Sequence, residues 1–339
     1  MADTLGSADQ ATADEGLGTK EVRPKRRRRG LRITLVSLAS VIVLLGAAAA
    51  GTFIYVNHVV GSIPRVPVRF LAQYSPSRGM TILLTDSQVG PTGSASATQT
   101  TGQTGLIMLL HLNGDNSDGG AVSIPPQTMV HVPGHGEMQI QDVVALGGPS
   151  LLVETVSDLT GVPINHFARI DFTHVASMVD AEGGVSVTLP EPTVSFGHLF
   201  PAGVNYINGT EALEYARDPS LTEQGRVLRQ QSLTRAILAK TGSKRLLINP
   251  LTTNRVLNAL VSMLTVDSTF TNSQIESLAG QLGHLTGSAG TFVTAPTRVS
   301  DGDVVLKSAQ SSALWSAIKS GTLAAFATQH PQTVTPAAP

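Results

Sequence analysis

The stretch NGTEALEYARDPSLTEQGRVLRQQSLTRAILAK, residues 208–240, holds the densest polar cluster in the chain. Glu211–Arg217 is predicted to be a short helix, Pro219 and Ser220 break it, and a second helix is expected from near Glu223. On that helix Arg226, Gln230, Leu233 and Ile237 follow the i, i+4, i+7, i+11 spacing of a single face. The stripe opens with a cation and an amide and turns apolar over roughly 16 Å. Helix starts favour anions, and guanidinium groups grip phosphate oxygens in pairs. A ligand with a phosphorylated head and a long hydrocarbon tail fits such a face. The same residues also read as an ordinary core stripe whose first turn meets solvent, with Arg226 and Arg229 paired to Glu223 or Asp218.

A second candidate is defined by what it lacks. VSIPPQTMVHVP, residues 122–133, begins as a buried strand and runs into the kind of loop where α/β proteins bind ligands. No Asp, Glu, Lys or Arg occurs from Gly119 to Gly136, nor from Ser87 to Gly114. His131 and His135 lie four apart, but the intervening Pro-Gly prevents a helical metal face. The chain has no cysteine, which excludes disulfides, thiolate zinc sites and thiol catalysis.

Charge is distributed unevenly along the 339 residues. Eight of the 23 Lys and Arg precede residue 33, and from residue 61 onward 15 basic side chains face 19 acidic ones. A nucleic-acid surface is therefore not expected on the main body. Residues 33–55, ITLVSLASVIVLLGAAAAGTFIY, carry no charge and are long enough to span a bilayer. The basic run before them, PKRRRRGLR, places the N-terminus in the cytoplasm and the rest outside. A cleaved signal peptide is the rival, but its apolar core would be shorter.

The elements that must position these residues alternate. Strands are expected at Met80–Leu84, Leu106–Leu112, Ala121–Ile124, Ala168–Phe172, Val185–Leu189 and Thr291–Thr294. Helices are expected at Ser150–Thr160 and Thr173–Ala181, and from Pro250 with Val256, Leu260, Met263 and Leu264 inward. Two more follow, around Ile275–Leu282 and around Leu314–Ile318. The expected fold class is α/β: a single three-layer α/β/α domain around a mixed central sheet, preceded by one transmembrane helix. The organisation would be a disordered tail over 1–32, the span 33–55, a linker with a first strand over 56–77, the main domain 78–322 and a flexible tail 323–339.

Taken in order, TDSQ (85–88), VSIPPQ (122–127), GGPSLLVETVSDLTGVPINHFARIDF (147–172), EYARD (214–218) and GRVLRQQ (225–231) resemble the LytR–CpsA–Psr family of cell-wall enzymes. The likeness covers about residues 78–310. It implies transfer of a glycopolymer from a polyprenyl-pyrophosphate carrier to peptidoglycan outside the membrane, with Mg²⁺, the lipid held in an apolar groove between sheet and helices. Carried over position by position, the resemblance implies Asp86, Arg217 and Arg226 as catalytic residues, Asp86 also on the metal. Arg229, Gln230, Leu233 and Ile237 would bind substrate. The family pattern is broken at Gln88, Gln103, Gly105, Pro126, Gln127 and Pro219, where arginines or aspartates are usual. Phosphoryl transfer depends on positioning and charge stabilisation, so two readings compete. One is a membrane-anchored transferase. The other is a scaffold or regulator that binds the polyprenyl lipid without turning it over.

Overall fold

The computed structural model describes residues 54–87, 104–114, 119–171, 174–218, 220–221, 225, 229, 232–237, 240, 250–285 and 290–334. Residues 33–53 of the expected span lie outside these, as do Gln88, Gln103, Pro219, Glu223, Arg226 and Gln230. No helix among the described residues is long and apolar enough to cross a membrane.

A seven-stranded sheet is the centre of the fold. Its strands are β1 (Arg65–Val66), β2 (Met80–Ser87), β3 (Ile107–Leu112), β4 (Gly119–Ser123) and, beyond a hairpin of β5 (Met129–Val132) with β6 (Gly136–Gln139), β7 (His166–Asp171). Four shorter strands follow, β8 (Val185–Leu189), β9 (Thr193–Ser195), β10 (His198–Phe200) and β11 (Gly203–Ile207), which pair as two hairpin-like ribbons. Strands β12 (Leu264–Asp267) and β13 (Gly290–Thr294) complete the sheet in the order β1-β12-β7-β2-β3-β4-β13. Parallel pairs (β2 with β7, β4 with β13) sit beside antiparallel ones (β2 with β3, β3 with β4), so the sheet is mixed, as expected.

Helices cover both faces. They are α1 (Val143–Thr160), α2 (Val175–Ala181), α3 (Gly209–Arg217), α4 (Pro250–Met263), α5 (Asn272–Leu285), α6 (Ser308–Lys319) and α7 (Leu323–Gln329). Alternate residues of β2 explain the layering. Leu83 packs with α1, α6 and α7 on one side, while Ile82 and Leu84 face α2, α3, α4 and the helical residues 232–237 on the other. Each side is a separate apolar cluster, which is why the central strands are apolar on both faces.

Three expectations change. Leu264 does not finish α4 but starts β12, because its backbone pairs antiparallel with Ile170 of β7. The segment around His131 and His135 is a hairpin and not a loop, with His131 facing Glu137 at 3.3 Å on its exposed side. Residues 323–329, assigned by composition to a flexible tail, form α7. Its Leu323 and Phe326 are buried against Gly120 and the α6 side of the sheet, an apolar gain that overrides the tail-like composition. Phe326→Ala is therefore expected to lower unfolding free energy by about 3 kcal/mol in a denaturant titration. A change within the error of the fit would return α7 to the status of a tail.

Candidate active site

The polar groups collect where β2 ends. Ile82, Leu84 and Asp86 share one face of that strand, so the carboxylate stands two residues beyond the apolar wall, at its C-terminal edge. Asp86 is buried, and its Oδ1 accepts three hydrogen bonds: from Thr104 Oγ1 at 2.7 Å, from the Gly105 N–H at 2.7 Å and from the Leu106 N–H at 2.9 Å. Burial raises the Asp86 carboxyl above its usual 3.8, against the lowering by those three donors. The residue thereby fastens the entrance of β3 to the end of β2. Gly105, where the family resemblance leads one to expect an aspartate, contributes this N–H.

The uncharged SIPPQ turn reaches the same corner through the backbone. Thr128 N–H donates to the Pro125 carbonyl, Gln141 N–H to the Pro126 carbonyl, and Thr104 N–H to the Gln141 carbonyl. Asp86, Thr104, Gln141 and Pro126 thus form one connected edge. Pro126 is buried and Gln127 half-buried. Asp86 is the only acid or base in that series.

Below this edge an apolar cavity of about 130 Å³ separates the sheet from the helices. Ile82 and Leu84 of β2, Ala168 and Ile170 of β7, Ile237, and Leu260 of α4 are among its walls, and Thr234 is the one polar side chain among the described residues lining it. An enclosure so apolar stays dry and favours hydrocarbon. Of the stripe predicted from sequence, Ile237 lines the cavity and Leu233 is fully buried in the adjoining core. Thr234 was not foreseen, although its place three residues before Ile237 on a helix is a usable signal.

Arg229 is engaged elsewhere. Its Nη1 donates to Asp218 Oδ2 at 3.2 Å and to the Tyr215 carbonyl at 3.3 Å, and its Nη2 to Thr193 Oγ1 at 3.2 Å. The guanidinium also lies over the Tyr215 ring at 5.1 Å. Burial raises the Asp218 carboxyl, but two hydrogen bonds from Ser220 and the Arg229 charge outweigh it and hold the group below 3.8. This is the pairing that the sequence left open as one of two readings for Arg229. It ties α3 to the following helix and to β9. Arg217 is the last residue of α3; its side chain, like Arg226 and Gln230, lies outside the described residues.

For Mg²⁺ the described residues offer little. One Asp86 oxygen is filled by three donors, and no group of three His, Asp or Glu side chains that could hold a metal occurs among the described residues. Mg²⁺ is commonly held by one or two carboxylates, with substrate phosphates and waters completing six oxygens.

The family model described as the LytR_cpsA_psr family matches residues 66–302, most of the chain. The chain belongs to that family. Among relatives, "Cell wall biosynthesis protein LcpA" of Corynebacterium glutamicum is 30% identical over 232 residues, covering 59% of this chain and 44% of LcpA. "Polyisoprenyl-teichoic acid--peptidoglycan teichoic acid transferase TagU" of Bacillus mycoides is 30% identical over 177 residues, covering 51% of this chain and 56% of TagU. The chain thus spans about half the length of the curated relatives it matches. Bacillus subtilis TagV superposes with a TM-score of 0.60 over 73% of this chain and 98% of its own, at 17% identity. The LytR-Csp2A-Psr enzyme from Actinomyces oris does so with 0.60 over 76% and 96%, at 20% identity. These likenesses establish the fold, a mixed α/β domain about a central sheet.

Proposed function

We propose that this LytR–CpsA–Psr protein receives a polyprenyl-pyrophosphate-linked glycopolymer and passes the polymer to peptidoglycan. The observation that carries the reading is the apolar cavity whose β2 wall ends in Asp86. The hydrocarbon would occupy the cavity and the diphosphate the C-terminal edge, where Arg217 and Arg226 of the 208–240 stretch would clamp it. At about 130 Å³ the cavity holds only a short length of tail, so a longer one would part α4 and α5 from the sheet. In the transfer an acceptor hydroxyl oxygen attacks the phosphorus bearing the sugar. The phosphoanhydride bond breaks, polyprenyl monophosphate leaves, and the hydroxyl proton goes to solvent. Mg²⁺ enters this reading only as an ion carried in on the diphosphate. The relatives named for teichoic acid transfer and cell-wall biosynthesis support the substrate class. On this reading residues 33–55 anchor the chain in the cell membrane with the N-terminus cytoplasmic and the domain outside.

A second reading, a lipid-binding scaffold without turnover, is favoured by the commitment of Asp86 Oδ1 and of Arg229 to structural partners. Release of polyprenyl monophosphate from a polyprenyl-diphosphate glycolipid, measured with the full chain in detergent, separates the two. Release above that of heat-inactivated protein supports transfer, whereas lipid retention with no release leaves the scaffold. Ala168→Phe, which fills the cavity from β7, is expected to weaken lipid retention about tenfold or more in either case. If Ala168→Phe held lipid as tightly as the parent, the hydrocarbon would lie elsewhere and both readings would lose their basis.

A further inference from the structure

The opposite end of the sheet carries a cleft that the transfer reading does not use. It measures about 870 Å³ and lies between the segment Ala72–Gly79, the end of β3 at His111–Gly114, the loop Val162–Asn165 and the end of α6 at Lys319–Gly321. That volume is in the range of small-molecule sites. Thr81 of β2 is in its wall, five residues from Asp86, which places the cleft roughly 17 Å from the carboxylate at about 3.3 Å per strand residue.

Its walls are held rigidly. Asn165 Oδ1 accepts the Thr81 N–H at 2.9 Å, and its Nδ2 donates to the Ala72 and Gln73 carbonyls. Thr81 Oγ1 and His111 Nδ1 are 2.9 Å apart. Backbones meet closely: a Cβ on Gly114 would lie 2.6 Å from the Pro76 carbonyl oxygen, and one on Gly321, at φ 68°, would lie 2.9 Å from the Asn113 amide. Burial lowers His111 below its usual 6.5 despite a hydrogen bond with Asn113, so the imidazole is neutral near pH 7.

Among the described residues lining the cleft the charges have one sign: Arg78 and Lys319, both exposed and without an acidic partner among the described residues, and no described Asp or Glu. Around them stand hydroxyls and amides, namely Gln73, Ser75, Ser77 and Asn113. Amides and hydroxyls suit sugar hydroxyls, and the two cations suit a phosphodiester or carboxylate. We infer that this cleft binds an anionic glycan, separately from the lipid and from Asp86. The inference rests on the reading of the chain as one that handles cell-wall glycopolymers. The glycan is either the polymer being transferred or the acceptor strand, and probe chemistry tells them apart.

The test is calorimetric titration of the full chain in detergent with three probes: a glucosyl-phosphodiester oligosaccharide, a muramic-acid-containing disaccharide and a neutral dextran oligomer. One of the two anionic probes is expected to bind more tightly than roughly 1 mM, more weakly as salt rises. The variant R78S/K319S should bind it about tenfold or more weakly while retaining the polyprenyl lipid as the parent does. Binding of the phosphodiester oligomer assigns the transferred polymer, and binding of the disaccharide assigns the acceptor. Absence of binding by both anionic probes overturns the inference, as does equal binding by R78S/K319S or by the dextran. Loss of lipid retention in the parent would sink the transfer reading and leave this result standing.

Discussion

Asp86→Ala is expected to cost about 3 kcal/mol of unfolding free energy, because the Thr104 hydroxyl and the Gly105 and Leu106 N–H groups lose their shared acceptor inside the protein. Asp86→Asn keeps a carbonyl oxygen in that place and has no charge to desolvate, so it is expected to be as stable as the parent, and more stable once the pH is high enough to ionise the parent's carboxyl. The sign follows from the raised carboxyl. Stability contributed by Asp86 is full below pH 3.8 and declines as pH rises through its higher folded value, a decline the Asn variant lacks. Urea titrations of the three proteins across pH 4–8 measure this. Activity then separates structure from chemistry. If the charge serves the diphosphate through the Mg²⁺ that the diphosphate would carry in, Asp86→Asn keeps its fold and loses on the order of 10²-fold in polyprenyl monophosphate release. Unchanged release would make Asp86 a strand fastener alone.

Arg229→Met has the other large expected effect, a loss of about 3–5 kcal/mol, because Asp218 would remain buried without its cation. Adding Asp218→Asn should recover part of that loss, since the stranded charge goes with it. The acid limb should move as well. Asp218 has a depressed folded value, so its stabilising contribution is present above pH 3.8 and is lost as pH falls through the lower value. Without Arg229 that loss begins at higher pH. A single variant as stable as the parent would mean that the guanidinium is free, as a phosphate ligand would be, and would restore Arg229 to the substrate-binding set.

Much of the fold was legible because the strands are short apolar runs set off by turn and helix signals. Val185–Leu189 was read from sequence with the bounds it has in the structure, and the helix stop at Gly161 follows from a residue at φ 61°. Leu264 was misread because its apolar side chain suits a helix face and a strand equally, and only the β7 edge beside it decides. The His166–Asp267 pair could not have been read at all. His166 Nδ1 lies 3.1 Å from Asp267 Oδ2 in the core, stacked on Phe270, yet the partners are 101 residues apart. Arg235 went unnoticed in the same way. Its guanidinium lies 4.3 Å from the Phe292 ring of β13, a contact across the sheet's edge.

By itself the sequence determined the α/β alternation, the family and the uncharged character of the SIPPQ rim, since residue type and spacing along the chain are local properties. Tertiary structure alone decided which charges are spent. The Asp86 carboxylate is held by the start of β3, and Arg229 by Asp218, because burial obliges every charged group to find partners from whatever segments fold beside it. The Arg78–Lys319 cleft depends on the same cause, for its two cations come from opposite ends of the chain and share a wall only when the sheet has closed between them.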